Sequence, residues 1–83
     1  MKISIKLFAL LGEYLPPGAK DNVAELDVSD GSTPAAVIRG LNLPLEQCHL
    51  VLVNGVYVEP SGRDSQPLSE GDALAIWPPV AGG

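Results

Sequence analysis

His49-Leu50-Val51-Leu52-Val53-Asn54-Gly55-Val56-Tyr57-Val58 sets two apolar, largely β-branched runs on either side of an Asn-Gly pair. Alternating runs of this kind read as strands. Asn-Gly between them selects a two-residue type I′ turn, because both central positions need positive φ. In that register Val53 faces Val56 and Val51 faces Val58 on one side, while Leu50, Leu52 and Tyr57 lie on the other. The centre of the chain is therefore a β-hairpin, and its neighbours decide what sheet it joins.

Lys2-Ile3-Ser4-Ile5-Lys6-Leu7 alternates strictly, with Ile3, Ile5 and Leu7 on one face and Phe8 falling on the other. Gly12 to Gly18, containing Pro16-Pro17, reads as a loop. Val23 to Val28 alternates again and should pair with the first strand. Ser32 or Thr33 can cap a helix that Pro34 is suited to begin, running to about Leu41 with Val37, Ile38 and Leu41 inward. Pro44 to Gln47 reads as a turn or a short helical piece, and Pro60 to Pro67 as a polar connection. Ala73 to Trp77 is a last strand with Leu74 and Ile76 inward. Two hairpins joined by a crossover helix and closed by a returning strand make an α+β fold, a mixed sheet with one main helix packed on one face. That arrangement is a β-grasp, occupying residues 1–77, with an extended C-terminal tail over 78–83.

Composition narrows the function. At 83 residues the chain is one small domain. Ten acidic residues against five basic ones give a net charge of -5. Lys2, Lys6, Lys20, Arg39 and Arg63 are scattered, so no basic face is available for nucleic acid or an anionic membrane. A protein partner with a basic docking surface fits better. No apolar run is long enough to span a bilayer, and the start is a strand pattern, not a signal peptide; a cytoplasmic address follows by default. The single Cys48 excludes an internal disulfide and fits a reducing compartment. Scattered acids show neither paired-carboxylate nor metal spacing, there is no phosphate-cradling glycine loop, and no bound cofactor is expected.

The chain closes on Trp77-Pro78-Pro79-Val80-Ala81-Gly82-Gly83. Each proline fixes φ near about -65° and biases the segment toward extended geometry. From Pro78 to Gly83 it can reach roughly 20 Å. Two glycines in succession pass a channel too narrow for side chains. A carboxylate so presented looks like a reagent offered to another protein's active site.

Ile5-Lys6-Leu7-Phe8-Ala9, Val53-Asn54-Gly55, and Leu68-Ser69-Glu70-Gly71-Asp72 leading into Ala75-Ile76-Trp77-Pro78-Pro79-Val80-Ala81-Gly82-Gly83 together resemble the ubiquitin-like sulfur-carrier family. Within it the chain most resembles the small subunit of molybdopterin synthase. The resemblance implies a non-catalytic carrier whose Gly83 carboxylate is adenylated by a ubiquitin-activating-like adenylyltransferase at the expense of ATP. A persulfide sulfur donor then converts the adenylate to a thiocarboxylate. The loaded tail enters the large catalytic subunit of molybdopterin synthase, where its sulfur becomes part of the molybdopterin dithiolene. The same chemistry serves thiamine, tungsten-cofactor or other sulfur pathways, and a related one attaches ubiquitin-like modifiers to lysines. The short helix carrying a proline and Gly40 departs from the longer, more charged helix of related carriers.

Gly83 is accordingly the expected covalent carrier. Gly82, Ala81, Val80, Pro79 and Pro78 are the expected threading segment, the prolines also ending the last strand. Strand parity puts Phe8 and Trp77 off the core face, close together at the base of the tail, with Tyr57, Leu50 and Leu52 extending the same apolar surface. Exposed together they would form a partner interface; covered by loops they would be structural. Gly71-Asp72 reads as a turn, with Asp72 also able to meet a basic residue of an activating enzyme. Cys48 reads as a small buried hydrophobe and His49 as structural.

Overall fold

A computed structural model describes residues 1–79. The strands are β1 (Lys2–Leu7), β2 (Val23–Asp27), β3 (Leu50–Val53), β4 (Val56–Tyr57) and β5 (Ala73–Trp77), and the helix is α1 (Pro34–Gly40). They form one mixed sheet in the order β2-β1-β5-β3-β4. β1 pairs antiparallel with β2, β5 pairs parallel with β1 and antiparallel with β3, and β3 with β4. This is the expected β-grasp.

Period-two alternation decides which side chains make the core. Ile5, Leu7, Leu74, Ile76 and Val51 have no exposed surface, and Ile3 has almost none. Val37 and Ile38 of α1 press on this face, with Leu11, Leu43, Val58 and Leu68 closing its margins. Leu41, expected inward, is half-buried and caps the helix end, its N–H bonding back to the Val37 carbonyl. Thr33, of the two candidates, caps the start: its Oγ1 accepts from Ala36 N at 3.2 Å, leaving Pro34 at the first position, where no N–H is needed.

The hairpin has the expected register, Val53 opposite Val56 and Leu52 opposite Tyr57. Val56 departs from the expected inward face. It lies 68% exposed, because β4 is an edge strand of two residues and nothing reaches over its tip. The first connection also differs from a plain loop: Ala9–Tyr14 forms a 3-10 turn that drives Leu11 into the core. Leu45–Gln47 and Pro60–Gly62 are short 3-10 pieces.

Two polar clusters hold the connections. Asn54, in the hairpin turn at φ 52°, donates from Nδ2 to Asp72 Oδ1 at 2.9 Å, and its Oδ1 accepts from Ala73 N at 2.9 Å. Asp72 Oδ2 accepts from Ser69 N at 2.8 Å. The Val-Asn-Gly and Gly-Asp turns thus clasp each other and fix the register of β5 against β3. Elsewhere Arg63 donates from Nε, Nη1 and Nη2 to the carbonyls of Val58, Cys48 and His49 at 3.1, 3.0 and 3.1 Å. One guanidinium therefore satisfies three irregular carbonyls that have no ladder partner.

Two substitutions measure these terms by urea unfolding. Ile5→Ala, which empties a fully enclosed site, should cost ~3 kcal/mol. Arg63→Ala should cost ~1–3 kcal/mol by stranding carbonyls; a negligible cost would show that water replaces the clamp.

Candidate functional site

The inner face of the sheet is covered by α1 and its neighbours, with Tyr14 packed at the core, and the outer face carries Phe8, Tyr57 and Trp77. β1 and β5 run parallel with Leu7 opposite Ile76, so the next residues outward are Phe8 and Trp77. Phe8 N donates to the Ile76 carbonyl at 3.2 Å. Their rings stack nearly parallel, 8° between planes, with centroids 4.0 Å apart. Lys6 Nζ stands 5.6 Å from the Phe8 ring centroid, within cation–π range. The pair is half-buried and sits where β5 gives way to Pro78 and Pro79, the first half-buried and the second exposed.

Trp77 is held on its other flank as well. It is opposite Leu50 of β3, and its carbonyl accepts from His49 N at 3.0 Å. One residue pair back, Lys6, Ala75, Leu52 and Tyr57 follow each other across β1, β5, β3 and β4 by register. Ala75 is the smallest member of that row, which leaves a shallow floor between Trp77 and Tyr57. Tyr57 is 48% exposed. Phe8, Trp77, Leu50, Leu52 and Tyr57 thus share the outer face. Within the described residues no helix covers it, and the strand before the tail runs through its centre.

The remaining sequence candidates fall elsewhere. Gly83, Gly82, Ala81 and Val80 lie outside the described residues. Asp72 has both carboxylate oxygens engaged in the turn clasp. Cys48 is buried with its thiol donating to the Pro44 carbonyl at 3.4 Å. Burial pushes that thiol up from its ordinary value; the Arg63 charge pulls it down by less, and Glu46 adds to the rise. It is a packed hydrophobe and not an activated nucleophile. Among the described residues no cluster of His, Cys, Asp or Glu could hold a metal ion. Among the described residues no helix is long and apolar enough to cross a membrane. Arg63, which sequence reasoning counts among scattered cations, proves to be a scaffold residue; its only sequence signal is its place in a turn-rich connection.

A model of the ThiS family matches residues 5–83, the whole of the chain but its first residues and including the Pro-Pro-Val-Ala-Gly-Gly segment. The chain belongs to the ThiS family. Its fold is that of the ubiquitin-like sulfur carriers, as the residue resemblance implies. Among solved structures it is similar to the Haloferax volcanii HVO 2177 protein, at 28% identity and TM-score 0.77, over all of this chain and 87% of that one. SAMP1 from Haloferax volcanii aligns over the full length of both chains at 26% identity and TM-score 0.71. A complex of subunits 1 and 2 of the molybdopterin-converting factor from Helicobacter pylori aligns over the full length of both chains at 22% identity and TM-score 0.61, a likeness of fold. No curated protein matches.

Two measurements test the site. Trp77→Ala should lower stability by ~2–3 kcal/mol, because the ring is largely buried and stacked on Phe8, and should leave the spectrum of the core amides unchanged. Because the raised Cys48 pKa belongs to the folded state, the unfolded chain loses its proton first. Stability should therefore fall as pH rises past about 8.5. Cys48→Ala should flatten that fall.

Proposed function

We propose that this protein is a sulfur carrier whose Gly83 carboxylate is the carrying group and whose outer sheet face is the handle by which partner enzymes grip it. The observation that supports this reading most is the stacked Phe8–Trp77 pair at the base of the tail, on a face without a covering helix. A partner that seats on these rings has the tail's first residues directly in front of it. Phe8, Trp77 and Tyr57 are large rings that lose little side-chain freedom on docking, the kind that dominate binding energy.

A carboxylate is a poor electrophile. Attack of a Gly83 oxygen on the α-phosphorus of ATP, in the active site of an adenylyltransferase, expels pyrophosphate and gives a mixed anhydride. The terminal sulfur of a donor's persulfide attacks the acyl carbon, and AMP leaves with the bonding pair. A thiol then cleaves the S–S bond, leaving sulfur on Gly83 as a thiocarboxylate and the donor sulfur in a disulfide. None of these steps needs a catalytic group from this chain. Its part is to dock, to lead with the stiffening prolines Pro78 and Pro79, and to present Gly82 and Gly83 without side chains. The extension of the family match through Gly83 supports assigning the chemistry there.

For the recipient, the Pro-Pro-Val-Ala-Gly-Gly segment and the fold likeness to subunit 1 of a molybdopterin-converting factor favour the dithiolene of molybdopterin, with a large catalytic subunit as partner, in the cytoplasm. The likeness to SAMP1, the small archaeal modifier protein 1 of Haloferax volcanii, favours a second reading, in which the same activated glycine acylates lysines of other proteins. The two readings share the adenylate and part at the acceptor.

Intact-mass spectrometry separates them. The protein is incubated with its adenylyltransferase, ATP and a persulfide donor. An oxygen-to-sulfur mass change located at Gly83 is expected; conjugates to other proteins would identify the modifier. An unchanged mass with an active adenylyltransferase would refute both.

A further inference from the structure

β2 is an outermost strand of the sheet, and its free edge has a defined chemistry. Met1 N and Val28 N exchange bonds with each other's carbonyls, both at 2.8 Å. Ile3 is opposite Leu26, and Ile5 opposite Ala24. Antiparallel pairs alternate, so Val28, Leu26 and Ala24 turn their amides toward β1, whereas Glu25 and Asp27 turn theirs away. The outward groups of Val23 are taken by Lys20, with bonds of 2.9 and 3.0 Å. The open edge is therefore two residues long, and among the described residues its N–H and C=O groups have no partner.

Beneath that edge lies a groove of about 290 Å³, where Leu26 and Val28 of β2 and its extension and Val37 and Leu41 of α1 and its cap give an apolar floor, with Asp27, Ser29 and Ser32 along its rim. A side chain built at Gly40 would meet nothing within 4 Å, so the groove is open at the helix. On the other side of β2, Glu25 and Asp27 are exposed, and among the described residues neither joins an ion pair.

We infer that the β2 edge and this groove form a second docking site, separate from the aromatic face, for an extended segment of another protein in which apolar and basic side chains alternate. The geometry dictates the alternation. A strand added to Glu25 and Asp27 places every second side chain on the Leu26 side, down into the groove. The others stand beside the two carboxylates, where lysine or arginine is favoured and an acid repelled. The same rule excludes a second copy of this chain, since β2 against β2 would set Glu25 and Asp27 of both copies against each other. The site makes no use of the tail, so it stands or falls independently of the sulfur chemistry.

The test is amide NMR of the full chain with two short, end-capped peptides, one alternating lysine with valine and the other glutamate with valine. The lysine peptide should bind about tenfold more tightly. It should shift the amides of Glu25, Asp27, Val37 and Leu41, and slow exchange at Glu25 and Asp27. Gly40→Val, filling open space, should abolish these shifts. The double variant Glu25→Lys, Asp27→Lys should reverse the peptide preference. Equal binding of the two peptides, shifts confined to Phe8, Tyr57 and Trp77, or no shifts at all would overturn the proposal. In that last case the acids act only to keep the edge unpaired.

Discussion

Where β1 and β5 lie side by side, Leu7 meets Ile76 on the buried face and Phe8 meets Trp77 just beyond it. This parallel pairing joins the first and last strands of the described residues, so it is the sheet ladder of greatest sequence separation and carries the largest loop-closure cost. It places β5 third in a sheet of five. The last strand is thus flanked on both sides, by β1 with Phe8 and by β3 with Leu50. A terminus leaving from an edge strand would have only one such neighbour. Here Trp77, the last residue of β5, is framed by two ladders instead of one.

The same pairing divides labour between the faces. Residues at even spacing from Ile3, Ile5, Leu74 and Ile76 supply the core, and the intervening positions are released from packing duty. On most of the outer face those positions are polar or small, as at Lys2, Ser4 and Ala75. Near the tail they are aromatic and apolar without a covering layer, which costs solubility unless another protein occupies them. Lys6 at the edge of the ring stack adds a cation to a surface that is otherwise acidic overall. In the proposed function, docking on this face and chemistry at Gly83 are separable tasks, since the rings belong to the folded body.

The sequence and the fold agree where period and turn chemistry are strong. Alternation from Lys2 to Leu7 and Ala73 to Trp77 fixes the inner residues, and Asn54-Gly55 fixes the hairpin register. Strand parity alone brings Phe8 and Trp77 together, though the ring stacking and the cation beside it depend on rotamers that parity does not specify. Val56 shows the limit of the rule: pairing puts it on the inner side, but a two-residue edge strand has nothing beneath its tip. The 3-10 turn at Ala9–Tyr14 has no period to announce it. Ala9 reaches φ 53° there without being glycine, an arrangement that burial of Leu11 enforces from a distance. Arg63 is likewise invisible as a clamp, because its acceptors lie in two other stretches of chain, at Cys48-His49 and at Val58. The clasp between Asn54 and Asp72 ties together two turns that the sequence presents separately, and it holds β5 in register against β3.

The division between handle and reagent is tested most directly by measuring, side by side, the affinity for the adenylyltransferase and the yield of thiocarboxylate for Trp77→Ala and for a chain lacking Gly83. Trp77→Ala should weaken binding by ~2 kcal/mol or more while remaining loadable once the partner is in excess. The chain lacking Gly83 should bind nearly as the parent does and carry no sulfur. Full affinity without Trp77, or sulfur loading without Gly83, would contradict the account.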